Sequence, residues 1–405
     1  MVKDKSQEQQ VYTAAGVMSG TSVDGLDMAL CRFSVSSGRW KYDIIKTAAV
    51  PYDSGWGRRL EGAMELGGLE LMMLHRDFGR FTGEMLNEFL EDAREKPGIV
   101  ASHGHTVFHQ PEKGLTLQIG DGAEIAAITG IATVSDFRRL DVALGGQGAP
   151  LVPIGDELLF GQYTYCLNLG GFANVSFRES GKRAAFDLCP ANIVLNRLAR
   201  DLGHEYDDGG RLAQTGSVVE SLLNALESLG YYRMEGPRSL GREWVEKEFM
   251  PVLEKFDVPA ADKLRTVCEH IALRIASVAG AADGPGNGLP QGKSTNMPPR
   301  AGNNAVAPSR QPLLPPPSGS QKKRRSILIT GGGAKNDFLA GLISRMAPHA
   351  DTFIPDETLV DFKEAIIFAL LGVLRIRNQV NCLSSVTGAR HDNSGGTVFK
   401  SPGRV

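Results

Sequence analysis

Six consecutive residues, Gly20-Thr21-Ser22-Val23-Asp24-Gly25, combine two glycines, two hydroxyls and one carboxylate. The glycines permit a tight turn and close backbone approach. Backbone N–H groups and hydroxyls can face an anion, and Asp24 can hold a metal on that anion directly or through water. The pattern reads as a phosphate-handling tip, with an ordinary polar hairpin as the alternative.

Further along, Ser135-Asp136-Phe137-Arg138 sets an acid and a guanidinium just past an apolar run. Asp136 can act as a base and Arg138 as an anion clamp, or the two can form a structural ion pair at a helix start. His103-Gly104-His105-Thr106, with His109 after it, gathers histidines without a carboxylate or cysteine at a ligand spacing. It is therefore read as a hydrogen-bonding loop rather than a metal site. Gly170-Gly171 with Asn174, and Gly331-Gly332-Gly333 with Asn336, are two more glycine-rich tips. The second opens a helix whose N-terminus adds partial positive charge. Asp187 and Asn192 flank Cys189-Pro190 and either meet a ligand or cap a turn. Glu364 interrupts an apolar helical face, either at a helix end facing solvent or lining a cleft.

Strands and helices must position these groups. Val11 to Met18 and Leu26 to Phe33 are predicted strands joined by the first tip. Leu169 and Val175 flank the second tip in the same strand–tip–strand arrangement, which suggests two equivalent lobes. Strands are also predicted at Ile99–Ser102, Ile131–Val134, Ala184–Leu188 and Ser326–Thr330. Leu69, Met72, Met73, Phe78, Phe81, Met85, Phe89 and Leu90 recur at helical spacing and are expected in the core. Other helices are predicted at Asp262–Ala281, Asp337–Met346 and Asp361–Arg377. The glycine-rich segment Gly145–Gly148 reads as a hinge or ligand loop. Alternating strands and helices define an α/β fold.

The chain has 405 residues, more than one core usually supports. Expected limits are an N-terminal lobe over 1–150, joined by part of the C-terminal segment, and a second lobe over 151–380. Residues 284–325 are dense in Pro, Gly, Ser and Asn and read as a disordered insertion. The net charge of −2 argues against a general nucleic-acid binder. Five scattered cysteines without a CxxC pair fit a reducing compartment. No apolar run reaches membrane-spanning length, and the polar start MVKDKSQEQQ does not read as a signal peptide. A cytoplasmic protein is expected.

Four long stretches occur in the order found in one family: GVMSGTSVDGLD from Gly16, SDFRRLDVALGGQGAPLVP from Ser135, LNLGGFANVSF from Leu167 and ITGGGAKNDFL from Ile329. In them the chain resembles the anhydro-N-acetylmuramic acid kinases, members of the actin-like, sugar-kinase and Hsp70 ATPase superfamily. The resemblance implies a two-lobed actin-like (ribonuclease H-like) fold with a nucleotide cleft between lobes. It implies ATP and Mg2+ as cofactors and a small amino-sugar substrate. It implies no nucleic-acid or membrane partner and leaves a homodimer open. The implied reaction is phosphorylation of 1,6-anhydro-N-acetylmuramic acid at O6 with hydrolytic opening of the anhydro ring. A kinase for a different amino sugar and an inactive ATP-binding regulator are the alternatives.

By the same resemblance, Asp136 activates water for attack at C1, Arg138 touches the sugar, and Glu364 faces the phosphate cleft, all three counted as catalytic. Gly20, Thr21, Ser22, Asp24, Gly25, Gly170, Gly171, Asn174, Gly331, Gly332, Gly333 and Asn336 hold the nucleotide, with Asp24 near the metal. His105, Thr106, Asp187 and Asn192 meet the sugar. The chain departs from many members at Cys189-Pro190-Ala191-Asn192, where Gly-Pro-Gly-Asn is commoner, and at the insertion.

Overall fold

The structure is a computed structural model and describes residues 9–20, 23–234, 238–280 and 324–400. Thr21, Ser22 and nearly all of the expected insertion lie outside the described residues. The chain forms two compact units, one from Met1–Gly161 with Phe362–Val405 and the other from Gln162–Asp361. These limits differ from the expected 150 and 380. The second crossing falls inside the helix Glu357–Ile376, so that Glu364 belongs to the first unit.

In the first unit, β1 (Gln10–Ser19), β2 (Gly25–Ser36) and β3 (Arg39–Pro51) form an antiparallel meander. β4 (Ile99–Ser102) then pairs parallel with β1, on the side away from β2. A short hairpin of β5 (His105–Gln110) and β6 (Leu115–Ile119) follows. β7 (Thr133–Ser135) pairs parallel with β4. Parallel neighbours need crossover connections, and the helices Gly68–Leu90 and Gly122–Thr129 lie on those crossovers.

The second unit repeats the plan. β8 (Tyr165–Leu169), β9 (Phe172–Glu179) and β10 (Lys182–Pro190) form a meander, and β11 (Arg325–Thr330) and β12 (Ala350–Phe353) add parallel strands beyond β8. Arg325, expected at the end of the insertion, opens β11. The chain returns to the first unit, where β13 (Thr397–Phe399) closes the sheet edge antiparallel to β7. Apart from the added edge strand β13, both sheets share one strand order, the ribonuclease H-like arrangement, and the class is α/β as the sequence predicts.

β1 is covered on both faces, which is why it reads as a nearly continuous apolar run. Ala15 and Val17 pack with Leu74, Phe78 and Leu86 of the Gly68–Leu90 helix. On the other face a Cβ on Gly16 would stand 1.9 Å from the Ala365 carbonyl oxygen, so the Glu357–Ile376 helix lies directly on the strand. The Gly68–Leu90 helix is continuous, but its expected apolar stripe is only partly buried. Leu69, Met72 and Met73 are 75%, 58% and 47% exposed, because burial in this helix begins only at Leu74. Among the described residues no helix is long and apolar enough to cross a membrane.

Candidate active site

In open α/β sheets, ligands bind beyond the carboxyl ends of the parallel strands. In the first unit those ends are Ser19 of β1, Ser102 of β4 and Ser135 of β7. They deliver Gly20, His103 and Asp136 to one sheet edge. In the second unit the ends of β8 and β11 deliver Gly170 and Gly331.

At the first tip, the Val23 N–H donates to the Gly20 carbonyl at 3.3 Å, with Val23 at φ 59°. That left-handed conformation is costly for a β-branched residue. Gly25 answers a different need: a Cβ there would stand 2.3 Å from the Val50 carbonyl oxygen of β3. Asp24 is exposed, and its carboxylate has no partner among the described residues. Its backbone carbonyl accepts from the Tyr52 N–H at 3.2 Å.

Tyr52 also donates its phenolic O–H to Ser19 Oγ at 2.7 Å, and Ser19 Oγ lies 3.0 Å from His105 Nδ1. Ser19 is left to donate to His105, whose proton then sits on Nε2. Burial lowers the His105 pKa to about 4, so the ring is neutral at physiological pH. Thr106 Oγ1 accepts a long bond from Gln118 Nε2, at 3.4 Å.

Asp136 and Arg138 do not form the pair that their spacing suggests. Arg138 donates to His103 Nε2 from Nε and Nη2, at 3.0 and 2.9 Å, and to the Gly148 carbonyl at 2.7 Å. His103 is held neutral by these two donors on Nε2; burial and the Arg138 charge push its pKa well down, against the bond of Nδ1 to the Gly104 carbonyl. Asp136 instead meets Arg139 at 3.4 Å. Its φ of 59° is rare for a residue with a side chain, and such strain gathers at functional sites. Burial raises the Asp136 pKa, with Arg139 and His75 opposing.

Glu364 sits mid-helix rather than at an end. Its pKa is raised by burial although Arg138 and Lys363 oppose the rise. His75 was not singled out by sequence reasoning, since it looks like one polar interruption in an apolar helix. Its Nδ1 accepts from the Gly120 N–H at 3.1 Å, and burial lowers its pKa.

In the second unit the two glycine tips meet. Gly331 adopts φ +81°, and a Cβ there would fall 2.5 Å from Asn168 Oδ1 and 2.9 Å from the Leu169 carbonyl. A Cβ on Gly333 would fall 2.7 Å from Leu169 Cβ. Asn192 donates its side-chain amide to the Leu169 carbonyl at 3.1 Å. The N–H groups of Ala191, Asn192 and Ile193 are all taken by the Gly170 and Gly171 carbonyls. This helix start therefore braces the Gly170-Gly171 tip, and its leading donors are not free for an anion. Asn336 likewise caps the Asp337–Met346 helix, accepting from the Leu339 N–H at 2.9 Å.

Asp187 stands opposite Asn174 in the β9–β10 ladder, beside a β-bulge. One carboxylate oxygen accepts from the Leu240 N–H at 2.8 Å. The Asp187 N–H donates to the Arg238 carbonyl at 3.0 Å, and its carbonyl accepts from Tyr231 at 2.7 Å. Burial lifts the carboxyl to about 6, against the Leu240 bond. No described group of three or more His, Cys, Asp or Glu could hold a metal.

Comparison with known proteins places these features in a family. The family model for anhydro-N-acetylmuramic acid kinase matches residues 12–285 and 317–401. A protein of that name from Gloeobacter violaceus is 35% identical over 398 residues, covering 93% of this chain and 95% of the relative. One from Mannheimia succiniciproducens is 33% identical over 408 residues, covering 95% and 98%. One from Pseudomonas putida is 38% identical over 263 residues, covering 60% and 71%.

Proposed function

Because the chain belongs to the anhydro-N-acetylmuramic acid kinase family, we propose that it phosphorylates 1,6-anhydro-N-acetylmuramic acid at O6, using ATP, while water opens the anhydro ring. The products are N-acetylmuramic acid 6-phosphate and ADP, a step of cell-wall amino-sugar recycling carried out in the cytoplasm. The observation that carries this reading is the family match along both units, outside residues 286–316.

The water oxygen bonds to C1 of the sugar and the C1–O6 bond breaks. O6 bonds to the γ-phosphorus, the bond to the β-phosphate breaks, and ADP leaves. The water proton passes to a carboxylate. Two carboxylates are candidates. The resemblance names Asp136, whose carboxyl is raised by burial while the exposed Arg139 opposes the rise. Among the described residues Asp187 has no cation hydrogen-bonded to its carboxylate, which is lifted to about 6. A base performs best with its pKa near the working pH, so the electrostatics favour Asp187. Asp136 then positions the sugar.

Arg138 supplies positive charge for the phosphoryl group, and Glu364 and neutral His105 contribute polar contacts to substrate. The tips at Gly20 and Gly170 approach the phosphates, and the Gly331–Gly333 turn lies on the adenosine side. Asp24, an exposed hard-oxygen donor without a protein partner among the described residues, fits Mg2+, which neutralises phosphate charge in such transfers.

The deciding experiment is turnover in ¹⁸O-labelled water with ATP and a panel of sugars, read by mass spectrometry. The proposal requires a 6-phosphate carrying ¹⁸O at C1 from the anhydro sugar. Phosphorylation of another amino sugar in preference would overturn it, and nucleotide binding without any turnover would leave an ATP-binding regulator.

A further inference from the structure

We infer that Asp141, completed by the C-terminal segment Cys382–Asn393, is a positioning residue that sets Arg138 for the reaction. The inference rests on the reading of Arg138 as a working group of the site.

Asp141 is fully buried. Its Oδ1 accepts from Thr387 Oγ1 at 2.9 Å, from Asn393 Nδ2 at 2.8 Å and from Cys382 Sγ at 3.1 Å. Its Oδ2 accepts from the Gly148 N–H at 2.8 Å. A buried carboxylate is expensive unless such bonds replace its water, and here three of the four donors come from the far end of the chain. The same segment holds the glycine loop directly: Gln147 N–H donates to the Thr387 carbonyl at 2.8 Å, and Arg390 N–H to the Leu144 carbonyl at 3.2 Å.

The loop packs closely against Asp141 and Ala389. A Cβ on Gly146 would lie 2.3 Å from Asp141 Oδ2 and 2.8 Å from Ala389 Cβ. Gly148 is the hinge of the relay. Its N–H is fixed by Asp141, and its carbonyl, on the same residue, receives Arg138 Nη1. Arg138 is in turn locked on His103. The carboxyl-terminal segment thus reaches the guanidinium through one buried acid and one peptide.

The test is a double-mutant cycle on kcat and on both KM values. Thr387→Val removes one donor to Asp141 with little change of shape, and Thr387→Ser keeps it. In the wild-type background Thr387→Val should lower kcat by up to about 100-fold, the scale of a small misplacement of a working group, with Thr387→Ser close to wild type. In an Arg138→Lys background the same change should cost less than about twofold, since coupled residues are non-additive. Equal losses in both backgrounds would show damage that does not pass through Arg138 and would overturn the inference. So would full activity of Thr387→Val. If Arg138→Lys and Arg138→Ala both turn over normally, Arg138 has no working role and the inference falls with that reading, whereas full activity of Thr387→Val beside a strong Arg138 effect removes the relay alone. Asp141→Asn extends the cycle where it folds, and Asn393→Ala replaces it where it does not.

Discussion

The Arg138 guanidinium donates to one nitrogen of His103 through two of its own, Nε at 3.0 Å and Nη2 at 2.9 Å. A protonated imidazole could not accept either bond, so this pair requires a neutral His103. His105 is neutral for a different reason, burial, which takes it to about 4. Neither histidine should titrate near neutrality. The acid limb of the kcat/KM profile should then lie near pH 6 and belong to Asp187, with activity lost as pH falls below that value. His105→Gln should change the rate but leave the limb in place. A limb that disappears in His105→Gln would assign it to the histidine.

Asp187→Asn should retain ATP binding and lose about 10²- to 10⁴-fold in turnover. Asp136→Asn should lose less. Parallel titrations of ATP binding and turnover in the two variants decide which acid is the base, and the larger loss in Asp136→Asn would return the role to it. The two also differ in stability. A carboxyl raised by burial protonates more readily folded than unfolded, so it lowers stability as pH rises from about 4 to 6. Above pH 6 the neutral Asp187→Asn variant should melt a few degrees higher than wild type, and an unchanged or lower melting temperature would count against a destabilised ionised Asp187.

Gly331 has both a left-handed φ and no room for a side chain, with Asn168 Oδ1 2.5 Å from a would-be Cβ. Gly331→Ala must push the Gly331–Gly333 turn away from Leu169. Nucleotide affinity should fall by at least about tenfold, roughly the effect of 1.4 kcal/mol. Calorimetric titration with a non-hydrolysable ATP analogue measures it, and wild-type affinity would separate this turn from the nucleotide.

In the second unit His270 is fully buried, with Nδ1 2.5 Å from Glu227 Oε1 and Nε2 2.8 Å from the Tyr232 hydroxyl. Burial lowers the His270 pKa, with Glu227 opposing. Glu227 is raised by its own burial but lowered on balance by the His270 bond and the Arg274 charge. Both groups bind protons more readily unfolded. Their stability contribution is complete above pH 6.5 and is lost as pH falls, first through His270 and then, below 4.5, through Glu227. The urea midpoint should therefore drop between pH 8 and pH 5.5, with a shallower drop in His270→Gln. Identical slopes for the two proteins would remove His270 as a source of the effect.

The family model passes over residues 286–316. Replacing 286–316 with a short Gly/Ser link should leave turnover and melting temperature nearly unchanged, because the cost of loop closure grows only slowly with length. Loss of folded protein on deletion would show that the segment contributes to the fold.

What the sequence by itself determined is local. Strands at Val11–Met18, Leu26–Phe33 and Ser326–Thr330 follow from apolar runs bounded by glycine tips, and those signals depend only on neighbours in the chain. The family motifs are likewise continuous stretches, so the family was legible without coordinates. Partnerships across the chain were not. Adjacency suggested Asp136 with Arg138, yet β4 brings His103 to Arg138 and leaves Asp136 to Arg139. Leu69, Met72 and Met73 have helical spacing, but spacing cannot show where the supporting sheet ends. Asn192 reads as a ligand contact or a cap and Asn336 as a nucleotide contact; that Asn192 also braces the Leu169 carbonyl is a partnership only the fold creates, whereas the bond of Asn336 to the Leu339 N–H is local to its own helix. Asp141 had no signal at all: its donors are 241 to 252 residues away in sequence, except for Gly148. Hydrogen bonding and burial depend on distance in space, and only the fold sets that distance.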